Sequence, residues 1–427
     1  MIFEIMATVI SVAALVYFLK TENNKKAGTY AVIILAAAFL FRIATFWVIK
    51  GYETDISCFT GWADSAYKLG LSRFYAGAGF VDYPPGYIYV LYITGFIADV
   101  FNIDTASVLY NFLIKLPSMI ADVLTAAIIY KFAKTKIAEN KAAALCAIYA
   151  FNPFVYLTSA LWGQVDSVFS LLIIIALIML YNKKHIISAC MYALALLVKP
   201  QALVIFPVYI FYIIYFVKNE GLKAVKTAVL SAISGAAVFF VLLIPFSVGR
   251  GFSWIFELYY NTLSSYPYAT LNAPNFYGMI GANGMGIEDT FLGISYSVWS
   301  FGFILLICVL SAFVYFKNSG GVFASGNVLI AGMYILAAKM HERYIFPMFA
   351  ILLILTAISK KKYPAVIGTV FSITTFAACA KVLVLSITGK NPWIGANELW
   401  FIIISAINVV IFIVMTYLML KGERNGQ

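Results

Sequence analysis

Histidine occurs only twice in 427 residues, charged side chains make up 11% of the chain, and its five cysteines, Cys58, Cys146, Cys190, Cys308 and Cys379, are scattered. Each shortage removes a class of function. So few histidines and no paired Cys/His spacing argue against a zinc centre. Four of the cysteines lie inside apolar runs, where a thiol acts as a small buried hydrophobe rather than as part of a disulfide framework. No Ser-His-Asp signature and no glycine-rich phosphate loop is present. The net charge of +11 sits in short clusters between apolar runs and forms no stripe on one face, so nucleic acid is not an expected partner.

What is abundant is apolar surface. Hydrophobic residues make up 63% of the chain, a balance that predicts an all-α polytopic membrane protein organised as one integral membrane domain over 1–427. Fourteen apolar runs lie near 1–19, 28–49, 84–100, 107–131, 142–160, 165–181, 186–198, 201–217, 226–247, 291–316, 324–338, 344–358, 364–386 and 398–419. The start, MIFEIMATVI, carries Glu4 where a signal peptide would carry lysine, and its basic group KTENNKK follows the apolar run. That order predicts an uncleaved first span entering from outside. No internal repeat is visible.

Sidedness follows from lysine and arginine in the short connections. If 84–100 crosses, the basic clusters around 131–141, 183–184, 218–226 and 360–362 emerge on the side opposite KTENNKK; if it does not, all of them fall inside, and most acids stay outside. The bias therefore predicts about 13 transmembrane helices and a juxtamembrane helix begun by Pro84 and Pro85, where proline's missing N–H costs least. A first external loop then covers 50–106 and a second covers 248–290.

With that sidedness, polar residues from six places in the chain gather at one surface. They are Asp55, Asp64 and Asp82; Gln164 and Asp166 in LWGQVDS; Lys199 and Gln201 in VKPQA; Asn272 and Asn275 in LNAPNFYG; and His341, Glu342 and Arg343 in KMHERYIFP. Charge inside a membrane protein is expensive and usually lines a hydrated cavity. Carboxylates facing His341, Arg343 and Lys199 suit a reaction in which a neutral hydroxyl loses a proton and a phosphate departs with its charge. The carboxylate serves as general base, while Arg and Lys stabilise the phosphate oxygens.

The ordered segments YETDISCFTGWADSAY, DYPPGYIYVLY, IKLPSMIADVLTA, FNPFVYLTSALWGQVDS, LVKPQALVIFP and KMHERYIFP resemble the integral-membrane glycosyltransferases of the GT-C superfamily. The likeness spans 28–360 and is strongest to the branch holding the dolichyl-phosphate-glucose-dependent glucosyltransferases of asparagine-linked glycosylation and their bacterial relatives. It implies inverting transfer of a hexose, glucose or mannose, from a polyprenyl-phosphate donor to a glycan, lipid-linked or protein acceptor on the extracytoplasmic face of a plasma membrane. Asp55 falls on the family's first-loop aspartate, the general base. Asp82 falls on the DYPP acid, which places the acceptor or shapes the site, and His341, Glu342 and Arg343 fall where the donor phosphate is held. This chain has one histidine before the glutamate where the eukaryotic enzymes have two, and arginine where they have lysine. No cofactor is expected; since GT-C enzymes differ over metal use, a divalent ion at Asp55 or Asp82 is the less favoured alternative.

Each residue also has a plainer reading. Asp55 suits a helix N-cap, Asp64 a solvated face and Asp82 a turn; His341 to Arg343 and Lys199 suit interfacial anchors. Lys115 and Asp122, seven apart, share a helical face and are expected to pair for structure. Trp254, Tyr259, Tyr260, Tyr266, Tyr268 and Tyr277 read as an interfacial belt before they read as sugar-stacking rings. The rival function is a flippase for polyprenyl-linked glycans or another transporter, which should carry its polar groups near the midplane.

Overall fold

The structure is a computed structural model that describes residues 2–21, 28–318 and 320–422. Lys25 and Lys26 of KTENNKK lie outside the described residues. Nineteen α-helices follow one another: α1 Ile2–Lys20, α2 Gly28–Thr45, α3 Glu53–Leu69, α4 Leu71–Gly77, α5 Pro85–Val100, α6 Val108–Ala133, α7 Glu139–Ala150, α8 Pro153–Tyr156, α9 Asp166–Tyr181, α10 His185–Val198, α11 Phe206–Glu220, α12 Leu222–Leu243, α13 Ser253–Ser264, α14 Phe276–Met279, α15 Tyr296–Lys317, α16 Gly321–Leu336, α17 Pro347–Ser359, α18 Tyr363–Ile387 and α19 Leu399–Leu420. Short 3-10 turns at Phe46–Val48, Pro200–Ile205 and Ile244–Phe246 lie between them, and the described residues also hold four two-residue strands: β1 Thr270–Leu271, β2 Thr290–Phe291, β3 Ile294–Ser295 and β4 Met340–His341.

The predicted all-α class is what the chain adopts, and each of the fourteen apolar runs is mostly helical, although 291–316 opens on two short strands and 142–160 is broken between α7 and α8. The count of long spans is smaller than the expected 13. Among the described residues, eight helices are long and apolar enough to cross a membrane, and a ninth is obtained if Glu139–Ala150 and Pro153–Trp162, bent by 44°, count as one. The remaining runs form the shorter helices Pro85–Val100, Asp166–Tyr181, His185–Val198, Gly321–Leu336 and Pro347–Ser359. At 1.5 Å per residue such helices reach roughly 20–24 Å, less than the ~30 Å of hydrocarbon. Apolarity in α16 and α17 has another cause. Both are buried on nearly every side, so they are apolar all round because they pack inside protein.

Elements needed for the site meet at one end of the bundle. Pro85 occupies the first turn of α5, and α5 lies close against α3 because Gly95 has no side chain; a Cβ there would stand 2.4 Å from the Ala63 carbonyl oxygen. After α8 the chain makes a wide helical turn, Leu157–Trp162, closed by Gly163 at φ 89°. At the same end β1 pairs in parallel with β4, setting Leu271 opposite His341.

Two buried cations organise the interior. Arg42 and Asp122 are fully buried: Arg42 Nε donates to Asp122 Oδ2 at 3.0 Å, and Nη2 lies 3.0 Å from the same oxygen. Ser159 and Ser167 donate to the two Asp122 oxygens. Lys115 Nζ donates to three backbone carbonyls, those of Phe46 at 3.0 Å, Ile49 at 2.8 Å and Leu161 at 3.0 Å. The expected pairing of Lys115 with Asp122 is therefore corrected: helix rotation and the carbonyls left open at two helix ends gave each residue a different partner.

Candidate active site

The segment bearing Asp55 is fastened before its carboxylate is aimed. Gly51, at φ 127°, brings the chain against the end of the wide turn, where a Cβ would sit 2.6 Å from the Trp162 carbonyl oxygen. The Tyr52 N–H donates to that oxygen at 3.1 Å, and the Tyr52 and Trp162 rings stack at 4.8 Å. Asp55, in the first turn of α3, then accepts from Trp162 Nε1 at 2.6 Å. Its carboxylate is 3.7 Å from Arg343 Nη2, and the guanidinium lies over the Trp162 ring, 5.0 Å from its centre.

Around this pair is a polar cavity of about 90 Å³ whose lining includes Asp55, Asp82, Gln164, Lys199, Gln201, His341 and Arg343. Seven of the residues named from the sequence thus line one cavity, although they come from distant parts of the chain. Asp82 lies in the turn ahead of α5, its carbonyl accepting from Thr262 Oγ1 at 2.9 Å. Burial pushes its carboxyl up to about 6, with Asp55 adding to the shift and Lys199 and Arg343 opposing it. Gln164 Oε1 accepts from the Tyr83 hydroxyl at 3.1 Å, and Lys199 stands 5.6 Å from the Tyr83 ring. Gln201 Oε1 is buried without a hydrogen-bond partner.

Behind the cavity stand two more predicted residues. Asp166, 2% exposed, accepts from Lys199 Nζ at 2.8 Å and faces Arg343 Nε at 3.6 Å, too far for a hydrogen bond. Glu342, also 2% exposed, accepts from Arg343 Nη1 at 2.6 Å. Neither lines the cavity. Burial opposes the Arg343 charge, but Asp55, Glu342 and Asp166 outweigh it and hold the guanidinium protonated. Burial also lowers Lys199, with Asp166 resisting. Burial, then Arg343 and Lys199, pushes His341 well below its usual range, so its ring, set against Tyr266 at 5.1 Å and Tyr344 at 5.0 Å, is neutral.

Asn272 and Asn275 are not brought to this cavity. Asn272 Nδ2 donates to the Pro392 carbonyl and its Oδ1 accepts from Ile394 N and Asn283 Nδ2. Asn275 caps α14 through Gly278 N and donates to the Tyr334 carbonyl. These bonds engage both amides, so they fasten loops. Asp64 pairs with Lys68 on an exposed face, as its plainer reading held. Of the second-loop aromatics, Tyr266 reaches the cavity wall. Trp162 and Tyr83 were quoted only as parts of motifs. Trp162's signal was a bulky N–H donor followed at once by glycine in an otherwise apolar run. No group of three or more His, Cys, Asp or Glu among the described residues is placed to hold a metal ion.

A second, mostly apolar cavity of about 430 Å³ adjoins the first and shares Pro200, Gln201, Thr262, Tyr266, His341 and Tyr344 with it. Its far walls are apolar side chains such as Phe169, Ile173, Ile304, Leu329 and Met333. A polar cell lined by two carboxylates, Asp55 and Asp82, and by Lys199, His341 and Arg343, next to an oily groove, fits a substrate with a phosphate at the end of a hydrocarbon chain.

One comparison bears on that fit. Residues 84–248 match the family described as dolichyl-phosphate-mannose-protein mannosyltransferase. The match includes Pro84, Gln164, Asp166, Lys199 and Gln201, covers less than half of the chain, and leaves out Asp55 and the His-Glu-Arg turn. No curated protein matches the sequence. The matched description names a mannosyltransferase, so the similarity supports polyprenyl-phosphate-sugar-dependent transfer of the broad GT-C class rather than the glucosyltransferase branch in particular.

Proposed function

We propose that this protein is an inverting glycosyltransferase that moves a hexose from a polyprenyl-phosphate donor to an acceptor hydroxyl. The observation that carries the reading is Asp55 and Arg343 facing each other across 3.7 Å in a polar cavity that adjoins an apolar groove. The isoprenoid chain lies in the groove, and the phosphate is received by Arg343 and Lys199, with the neutral His341 as a hydrogen-bond partner. An acceptor oxygen attacks the anomeric carbon while Asp55 removes its proton. The carbon–oxygen bond to phosphate breaks, its electron pair stays on the phosphate, and the two cations stabilise that charge. The charge bias of the connections supports an extracytoplasmic site with 84–100 held on that side.

A second reading concerns the base alone. Asp82 lines the same cavity, makes no ion pair among the described residues, and with its carboxyl near 6 is better matched to proton abstraction at neutral pH. The purified protein, given synthetic polyprenyl-phosphate mannose or glucose with a membrane glycolipid fraction, should release polyprenyl phosphate and form a glycosylated product. Asp55→Asn, which can still accept from Trp162, should lower turnover about 10²–10⁴-fold. If turnover survives in Asp55→Asn and is lost in Asp82→Asn, the base is Asp82. Translocation of a labelled lipid-linked glycan without any transfer would sink the enzyme reading in favour of the flippase.

A further inference from the structure

A third hollow lies at the other end of the bundle. From the site, α17 runs 13 residues, about 20 Å, to a turn made of Lys360, Lys361 and Lys362. There a cavity of about 470 Å³ is walled by Lys134, Lys136, Lys141, Lys360 and Lys362, with the hydroxyl residues Thr135 and Thr356 between them. No carboxylate is among the described residues that line it, and none of the five lysines forms an ion pair with a described residue. The nearest acid in sequence, Glu139, accepts from the Tyr130 hydroxyl instead.

Three features make this more than a scatter of basic side chains. Lys360 takes a left-handed conformation, φ 56°, which turns the chain sharply between α17 and α18 and keeps its lysines beside those of the α6–α7 connection. The helices α7 and α18 both begin at this cavity, neither has a side-chain cap, and each adds the positive end of its dipole. Lys134 and Lys136 are held by the faces of Tyr130, Phe132 and Tyr181, so their ammonium groups are poised rather than free to disperse. Orientation bias explains why lysines favour this end of the bundle. It does not explain their convergence, with two helix starts, on one hollow lacking a counter-charge.

We propose that this hollow binds a phosphate-bearing anion, either the headgroup of an anionic phospholipid or a free phosphate ester. The purified full-length protein, in neutral detergent, is melted against inorganic pyrophosphate, dihexanoyl phosphatidylglycerol and dihexanoyl phosphatidylcholine. The triple variant Lys134→Gln, Lys136→Gln, Lys360→Gln is melted alongside, as is the same triple replacement by arginine. Lys362 is spared because its Nζ donates to the Leu19 carbonyl at 2.7 Å and so fastens α1. Pyrophosphate, phosphatidylglycerol or both should raise the melting temperature of the wild type. The glutamine variant should need about tenfold more ligand for the same rise, and the arginine variant should behave as the wild type. A rise with phosphatidylglycerol alone assigns the site to lipid headgroups, and one with pyrophosphate alone assigns it to a free phosphate. No rise with either anion, an equal rise with phosphatidylcholine, or an unchanged response in a folded glutamine variant overturns the proposal.

Discussion

Arg42 with Asp122, and Arg343 with Asp55 and Asp166, are both arginine–carboxylate groups inside an apolar bundle, yet they are finished differently. Both oxygens of Asp122 receive donors, from Arg42, Ser159 and Ser167, and Arg42 Nη1 donates onward to the Ala38 and Ala150 carbonyls. Arg343 Nη1 donates to Glu342 at 2.6 Å, but its distances to Asp55 and Asp166 are 3.7 and 3.6 Å, and both Arg343 Nε and Asp166 Oδ2 are buried without a hydrogen-bond partner; Arg42 Nη2 also lacks a hydrogen bond, yet it lies 3.0 Å from Asp122 Oδ2. Protein interiors pair buried polar groups unless something else is meant to pair with them. The closed group holds helices together, and the open one keeps donor and acceptor capacity in reserve beside a cavity.

The largest effect should come from breaking the closed group. Arg42→Met leaves Asp122 buried without its cation and should cost about 3–5 kcal/mol of stability, visible as loss of folded protein on size-exclusion chromatography. Adding Asp122→Leu to it should recover most of that loss, because an apolar pair can replace a buried ion pair. Arg343→Gln should do the reverse. Its melting temperature should fall less than that of Arg42→Met, since Gln can still donate to Glu342, while transfer from synthetic polyprenyl-phosphate sugar falls about 10²–10³-fold, the usual size for one lost anion-stabilising donor. An Arg343→Gln protein that unfolds would erase the distinction drawn here.

Asp82 sharpens the comparison through pH. The folded chain holds the Asp82 proton up to about pH 6, whereas an unfolded aspartate has lost it near 3.8, so the folded state binds more protons in that window. The stability this gives at low pH is lost as the pH rises through about 6, by at most about 3 kcal/mol. Asp82→Asn should flatten that part of the melting-temperature profile, and an unchanged profile would show the carboxyl to be unshifted. The smallest effect is expected at Lys115. Lys115→Met should lower turnover about tenfold, roughly 1.4 kcal/mol, with little change in KM for the donor, because it loosens the strand of chain before Asp55 without touching substrate. Lys115→Arg should restore part of that loss.

The residues that line the candidate site were legible because charge is so costly in this chain. Asp55, Asp82, Lys199 and Arg343 stood out against apolar surroundings, and the basic connections suggested which of them share a face. The apolar runs were legible as helices for the same reason. Their number as membrane crossings was not, since α16 and α17 are as apolar as a span while lying inside the protein. The partners of Arg42, Lys115, Asn272 and Glu342 were also hidden. They depend on how each helix is rotated and on which backbone carbonyls remain open where helices end, and neither property leaves a local mark in the sequence. Arg42 and Asp122 are 80 residues apart, and Lys115 is bound to main-chain atoms that every residue type carries alike.

Lys115 has a further consequence for the site proposed above. The ammonium moors the chain on both sides of the Asp55–Trp162 bond to the shaft of α6 rather than to headgroups. When the surrounding bilayer thins or swells, mooring and carboxylate ride up and down together. Turnover should therefore be indifferent to the acyl length of the host lipids over a range that would disturb a site hung from the water boundary.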